Sequence, residues 1–110
     1  MYIKVIHRAF EDTPYTAAVV DCPTDNPMEA CEYAYRWTQN IMDSWSMKGA
    51  ADGNDRVEVV KALHVDAQGK QWGHRSTSVG DHMQAMGKTY RVASVGFKEV
   101  EPKEVDLCVC

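Results

Sequence analysis

The residue types best suited to chemistry are concentrated in one short segment, residues 72–81. It contains an indole, an imidazole, a guanidinium, hydroxyls and a carboxylate, in the order Trp72-Gly73-His74-Arg75-Ser76-Thr77-Ser78-Val79-Gly80-Asp81. A nucleophilic site would use Ser76 or Ser78 with His74 as its base, and the carboxylate would orient the imidazole. Ser76 is only two residues from His74, and no Gly-x-Ser-x-Gly elbow is present, so triad geometry is not expected. We therefore expect the hydroxyls and Asp81 to organise a turn through hydrogen bonds to the backbone, and we do not predict an enzyme.

Two tryptophans favour binding over catalysis. Trp45 lies in a polar, turn-rich stretch, and Trp72 stands beside polar residues and a glycine. A loop tryptophan either fills a gap in the core or waits for a partner, and tryptophan and arginine are preferred anchors of binding hot spots. The predicted partner-binding set consists of Trp45, Trp72, His74, Arg75, Ser76, Ser78 and Asp81.

No metal or cofactor site is predicted. Cys108 and Cys110 form a C-x-C pair, but structural zinc takes four ligands and no C-x-x-C pair supplies the rest, so we expect free thiols. The histidines lack His-x-His and His-x-x-x-His spacing. His64 and Asp66 could share a metal from one strand face, but they supply only two ligands. The stretch 49–53 lacks the Gly-Lys-Ser/Thr ending of a phosphate-binding loop.

Charge restricts the choice of partner. The chain carries 12 Lys+Arg and 16 Asp+Glu, a formal net charge of −4, which argues against a general nucleic-acid binder. Cations nevertheless collect near aromatic residues in the C-terminal half: Lys70, Arg75, Lys88 and Arg91, with Trp72 and Tyr90. A protein partner with a locally acidic contact is therefore the first hypothesis, and a nucleic-acid-binding module over residues 70–91 is the second.

The scaffold for these residues is predicted to be a single domain in the cytosol. At 110 residues, with 45% hydrophobic and 25% charged residues, the chain has the size and composition of one globular domain. We assign residues 1–101 to this domain and residues 102–110 to a C-terminal tail. No apolar run approaches the roughly 20 residues of a membrane span, and the N-terminal residues lack the layout of a signal peptide.

Strands and turns follow from the pattern of apolar and turn-forming residues. Alternation and β-branched residues predict strands at residues 2–10, 15–22, 57–65, 70–75, 82–86 and 89–100. Gly87-Lys88 predicts a tight turn, Gly69 a turn position with positive φ, and Gly96 a bulge within the last strand. Residues 43–56 are rich in turn-forming residues and predict a long loop.

One helix is predicted between the second and third strands. Asn26 suits the N-cap and Pro27 the first helical position. Apolar positions repeat on one face as far as Ile41, and the small residues Ala30 and Ala34 on that face would let the helix lie close to a sheet. The predicted fold class is therefore α+β: a single helix packed on a twisted, mainly antiparallel sheet, in the order β-β-α-β-β-β-β.

The C-terminal part also carries a resemblance. The pattern S-x-S-V-x-D at 76–81, then Y-x-V at 90–92, then S-x-G-F-x-E at 94–99 resembles the cassette of the YodL-like domain, which recurs in small proteins of bacteriophages and plasmids. The upstream stretches 32–40 and 43–46 also look like phage-encoded relatives of that type. The resemblance implies a mobile-element origin and an accessory role, and it implies no reaction and no catalytic residue.

The resulting prediction is a small phage accessory protein that acts in the host cytosol by binding. It would inhibit or redirect a host protein, such as a defence effector or part of the transcription machinery. A nucleic-acid-binding module is the alternative, and a small-ligand binder or enzyme using His74, Ser76 and Asp81 ranks last. Sheet edges must be covered or paired, and a two-fold dimer of the chain would achieve this.

Overall fold

A six-stranded antiparallel sheet forms the body of the protein. The computed structural model describes residues 1–40, 44–47 and 56–100. The elements follow in this order: β1 Tyr2–His7, β2 Tyr15–Asp21, α1 Pro27–Trp37, β3 Val57–Val59, β4 His64–Val65, β5 Gln71–Trp72, β6 His82–Ala85, β7 Lys88–Val92 and β8 Phe97–Glu99. The large sheet has the strand order β3-β2-β1-β6-β7-β8 with antiparallel neighbours, and β4 pairs with β5 in a separate two-stranded sheet. The predicted α+β class and order of elements are confirmed.

Helix α1 begins as predicted and ends before the predicted boundary. The Asn26 side chain accepts hydrogen bonds from the backbone N–H groups of Met28 and Glu29 at 3.0 and 3.1 Å, as an N-cap does. The helix ends at Trp37, where side-chain donors replace backbone N–H groups as the hydrogen-bond partners of the last carbonyls. Thr38 Oγ1 donates to the Ala34 carbonyl at 2.8 Å. The predicted end near Ile41 is therefore too late, and Ile41 itself lies outside the described residues.

The core lies between α1 and one face of the sheet. Ala30, Cys31 and Ala34 are the buried positions of the helix, and these small side chains bring it close to Ile3 and Val5 of β1. Cys31 behaves as a small apolar residue here, because burial raises the pKa of its thiol to about 12. On the opposite face, the paired Lys4 and Gln84 are only partly buried, whereas Ile6 and its partner His82 are buried outside the main core cluster.

The strand predicted at residues 57–65 is wrong as a continuous element. β3 ends at Val59, and the N–H groups of Val60 and Lys61 both converge on the carbonyl of Ala17, which ends the ladder with β2. The chain then forms β4, which returns through a turn into β5. Gly69 in that turn has φ +82°, as predicted. The predicted strand 70–75 is reduced to Gln71–Trp72.

Two turns in the C-terminal half also differ from prediction. The turn between β6 and β7 is formed by Met86 and Gly87, with φ of 49° and 82°, one position before the predicted Gly87-Lys88. Gly96 does not form a bulge. Val92 pairs with Phe97, so residues 93–96 reverse the chain and split the predicted strand 89–100 into β7 and β8, with Gly96 at φ +71°.

Parts of the prediction fall outside the described ranges. The predicted tail, 102–110, and most of the predicted loop 43–56 belong to them, although residues 44–47 are described and form a turn. Among the helices of residues 1–40, 44–47 and 56–100, none is long and apolar enough to cross a membrane.

Candidate functional site

The carboxylate of Asp81 is completely buried and accepts hydrogen bonds from every side. Its Oδ1 accepts the backbone N–H groups of Arg8 and Ala9 at 2.8 and 2.9 Å, and its Oδ2 accepts that of Ser78 at 2.7 Å. Arg75 adds two parallel bonds of 2.7 Å. The predicted first strand, 2–10, ends at His7 for this reason, since the next two N–H groups bind a side chain instead of a strand. Burial alone would raise the pKa of Asp81, but these hydrogen bonds outweigh it and lower the pKa below its ordinary value.

Arg75 is fully occupied by bonds within the chain. Besides Asp81, its Nε and Nη2 donate to the Glu11 carboxylate at 3.0 and 2.8 Å, and Nη1 donates to the Ser76 carbonyl at 2.9 Å. All five N–H donors of the guanidinium are therefore used. Burial works against the charge, but the two carboxylates outweigh it and raise the pKa of Arg75. Phe10 covers the cluster, with its ring centroid 4.9 Å from the guanidinium carbon.

A directed chain of hydrogen bonds passes through His7 and ends at the Ala34 carbonyl. Thr38 donates to the Ala34 carbonyl, which can only accept, and Thr77 donates to Thr38 at 2.7 Å. Thr77 has then used its proton, so His7 Nε2 must donate to Thr77 across 3.1 Å. The Nδ1 atom of this neutral imidazole accepts from the Tyr15 hydroxyl at 3.4 Å. Burial favours the same neutral form, because it lowers the pKa of His7 to about 4.

Trp45 takes the first of its two predicted roles and fills the core. Its side chain is 2% exposed, and Nε1 donates to the carbonyl of Arg75 at 2.8 Å. The indole packs edge-on against His7, with ring centroids 6.0 Å apart, and tilted against His74 at 5.8 Å. Trp45 thus holds the backbone at Arg75 through its indole N–H and packs against the ring of His74. Because the indole is buried, it offers no surface to a partner.

The structure does not bring His74, Ser76 and Asp81 together as a nucleophilic site. His74 Nε2 donates to the carbonyl of Lys61 at 2.8 Å, and Ser76 Oγ accepts the N–H of Asn40 at 2.8 Å. Ser78 Oγ donates to the carbonyl of Ser76 at 3.1 Å. These contacts correspond to the expected turn, in which polar side chains bind the backbone.

Trp72 is the residue of the predicted set that does present an aromatic surface. It is 51% exposed on β5. Its Nε1 donates to Asp66 Oδ2 at 3.0 Å, and the Lys70 ammonium lies 4.4 Å from the ring centroid. The indole bond lowers the pKa of Asp66, with further help from backbone N–H groups of the turn. The ring is therefore held in one orientation although half of it faces solvent.

A shallow cleft of about 390 Å³ runs beside Trp72. Its walls include Tyr15, Lys61, His64 and His74, and the Lys61 ammonium lies 5.6 Å from the ring centroid of Tyr15. Prediction from the sequence did not find Tyr15 or Lys61 as site residues. The one clue was that His7 and Tyr15 lie on neighbouring predicted strands. Using it would have required the register in which β1 and β2 pair, which places His7 opposite Tyr15. Among the described residues no group of three or more His, Cys, Asp and Glu side chains could hold a metal.

The cations predicted for nucleic-acid contact are dispersed. Lys70 lies against Trp72 of the two-stranded sheet. Arg75 forms ion pairs with Glu11 and Asp81, and the Lys88 ammonium lies 4.0 Å from the Glu99 carboxylate. Lys88 and Arg91 are three positions apart on β7 and so point to opposite faces. Tyr90, which the sequence grouped with these cations as a contact residue, is buried.

Comparison with protein-family models, curated proteins and solved structures gives no match to this chain. The YodL-like resemblance of residues 76–99 stays a prediction.

Proposed function

We propose that this chain acts by binding another protein, and that Trp72 is the anchor of the contact. The supporting observation is the indole itself, half exposed yet fixed by Asp66 at its nitrogen and by Lys70 on its face. A large aromatic surface that is already ordered loses little side-chain entropy when a partner covers it. Tryptophan is also the residue type most enriched at binding hot spots.

The cleft beside Trp72 extends this surface. It offers a concave, partly aromatic wall that includes Lys61, and the Lys70 ammonium lies against the ring of Trp72, which also lines the cleft. Such a surface accepts a protruding side chain of a partner, with an acidic group placed near the rim. The other predicted contact residues contribute indirectly, since Arg75, Ser76, Ser78 and Asp81 fix the turn that directly follows His74 in the chain.

The biological setting of the proposal comes from the cassette resemblance. A small accessory protein of a phage or plasmid would use this contact to inhibit or redirect a host protein in the cytosol, such as a defence effector or part of the transcription machinery. No cofactor and no reaction enter the proposal.

The experiment is an affinity pull-down from bacterial lysate with tagged wild type, Trp72→Ala and Met86→Ala as baits. Met86 is exposed on the turn between β6 and β7, so it controls for the loss of a surface apolar side chain. We expect a specific protein that is retained by wild type and by Met86→Ala and is lost with Trp72→Ala. Absence of any specific partner at micromolar bait, or equal retention by Trp72→Ala, contradicts the proposal.

Single-stranded nucleic acid is the second candidate, because an exposed indole beside a lysine can also stack on a base. A gel shift at low and moderate salt separates the two, since phosphate contacts must weaken as salt rises. A salt-sensitive shift that disappears in Trp72→Ala would favour this candidate, and no shift at low salt eliminates it.

A further inference from the structure

Three loops meet at one end of the large sheet, and each presents one exposed apolar side chain. The loop after β1 carries Phe10, which is 74% exposed, the loop before β6 carries Val79 at 55%, and the loop between β7 and β8 carries Val95 at 88%. The strands bring these loops to the same end, because the end of β1 pairs with the start of β6, and that start pairs with the end of β7. We call Phe10, Val79 and Val95 the apolar tips.

The three loops also adjoin one another. A Cβ at Gly80 would lie only 3.1 Å from the Cβ of Ala9, so the first and second loops touch. The Gly80 N–H donates to the Val92 carbonyl at 2.9 Å, which joins the second loop to the strand that leads into the third. The loops therefore form one surface, and exposed apolar side chains gathered on one surface mark an interaction site, whereas those scattered singly do not.

The backbone of these loops is already bonded within the chain. Four backbone N–H groups have acceptors at 2.9–3.2 Å, those of Phe10, Gly80, Asp81 and Ala93. Such groups need no water, whereas an N–H group without an acceptor is costly in apolar surroundings. The Phe10 ring lies 4.9 Å from the guanidinium carbon of Arg75, so it is ordered before a partner arrives and loses little entropy on contact.

Exposed cations flank the third loop. Arg91 precedes it and Lys98 follows it, on paired strands where the two lie opposite each other. Both are exposed, and neither forms an ion pair with another described residue. The Glu11 carboxylate near the first loop is bound by Arg75, which leaves Asp12 as the exposed carboxylate of that loop. The surface around the apolar tips therefore favours a negatively charged partner.

We propose that the apolar tips insert into the anionic surface of a lipid bilayer, with Arg91 and Lys98 against the headgroups. A bilayer is broad and flat, so it can meet three loops at one end of the sheet together, and apolar side chains enter its headgroup–acyl boundary without a preformed pocket. Basic residues beside the inserted side chains add attraction to anionic headgroups. This inference goes beyond the protein contact proposed above, and it shares no residue with the surface around Trp72.

Co-sedimentation of the full chain with vesicles tests the proposal. Vesicles of equal parts phosphatidylglycerol and phosphatidylcholine are used at low salt. We expect Val95→Asp to lower the partition coefficient about tenfold and Lys98→Gln to lower it about fivefold. Met86→Asp is the matched control, because it introduces the same charge at an exposed apolar residue in the turn at the opposite end of the sheet. Its partition coefficient should stay within about twofold of wild type.

Two further variants separate the apolar and the charged contributions. Val95→Thr keeps the shape of the side chain, so its free energy of unfolding in urea should match that of wild type while its binding to vesicles still weakens. Asp12→Asn removes the exposed carboxylate of the first loop and should strengthen binding to the anionic vesicles, by up to about fivefold.

The proposal is overturned if the chain does not sediment with the anionic vesicles at low salt, or if it binds vesicles of pure phosphatidylcholine equally well. It is also overturned if Met86→Asp weakens binding as much as Val95→Asp. A protein that is captured by wild type and lost with Val95→Asp, in the absence of any binding to vesicles, would assign the apolar tips to a protein contact instead.

Discussion

Arg75 and Asp81 are joined by two parallel hydrogen bonds of 2.7 Å, and the Asp81 carboxylate has no exposed surface. Asp81→Asn replaces one acceptor oxygen by a donor that faces the guanidinium and backbone N–H groups. We expect the free energy of unfolding to fall by about 3–5 kcal/mol, as when one member of a buried ion pair is removed. Urea denaturation at neutral pH measures it. Asp12→Asn, at an exposed carboxylate in the connection between β1 and β2, is the control. A loss in Asp81→Asn no greater than in this control would contradict a structural role for the pair.

The buried imidazole of His7 should make stability depend on pH. Burial lowers the pKa of His7 from 6.5 to about 4, so between these values the unfolded chain binds a proton that the folded chain does not. The free energy of unfolding must therefore decrease as pH falls from 6.5 to 4, by about 3 kcal/mol in all. Urea titrations between about pH 4.5 and 7 measure this slope, and His7→Phe should remove it.

This pH range also separates His7 from the carboxylates. The pKa of Asp81 is lowered because its hydrogen bonds outweigh burial, so its contribution is present above its ordinary 3.8 and is lost only at lower pH. His64→Phe changes an exposed histidine of β4 and should leave the slope in place. A slope in His7→Phe equal to that of wild type would contradict a neutral, hydrogen-bonded His7 in the folded protein.

The two tryptophans should respond oppositely to truncation. Trp45→Ala leaves a cavity beside His7 and His74 and should lower the free energy of unfolding by about 3–5 kcal/mol. Trp72→Ala removes a half-exposed ring and should change it by no more than about 1 kcal/mol. Urea unfolding followed by far-ultraviolet circular dichroism measures both without relying on indole fluorescence. Comparable losses in the two variants would contradict the assignment of Trp45 to the core and Trp72 to the surface.

The turn between β6 and β7 can be improved by substitution. Met86 has φ +49°, a left-handed conformation that favours Asn or Gly, and its side chain is largely exposed. Asn followed by Gly87 is the preferred pair for such a turn, so Met86→Asn should raise the free energy of unfolding by about 0.5–1 kcal/mol. Met86→Ala is the control, because it removes the same side chain and keeps the unfavourable conformation. An equal gain in both would mean that exposure of Met86, rather than its φ, causes the effect.

Local signals were sufficient to predict most of the fold. The Asn26-Pro27 cap placed the start of α1, and alternation placed β1, β2, β6 and β7, because these elements obey short-range rules. Their boundaries depended on distant groups. β1 stops where Asp81 takes the next N–H groups, and β3 stops where the Ala17 carbonyl receives two donors. Gly96 was ambiguous, since positive φ serves both bulges and chain reversals.

The candidate site was predictable only in part, for a related reason. The polar character of residues 72–81 was visible in the sequence, and so was the expectation of a turn held by side chains. Glu11, which completes the bonds of Arg75, is 64 positions away along the chain, and no local pattern connects the two. The same holds for Tyr15 and Trp45, whose contacts with His74 exist only once the strands are paired.

The strand order has a consequence for how the protein folds as it is synthesised. β1 is synthesised well before its neighbour β6, and the two are held together by pairs such as Lys4 with Gln84. Until β6 leaves the ribosome, the unpaired edge of β1 exposes the backbone beside Ile3 and Val5, two of the most apolar core positions. Non-local pairing of this kind slows folding and leaves an open edge that can associate with other chains. The open edge of β1 is therefore a site at which incompletely synthesised chains can associate with one another.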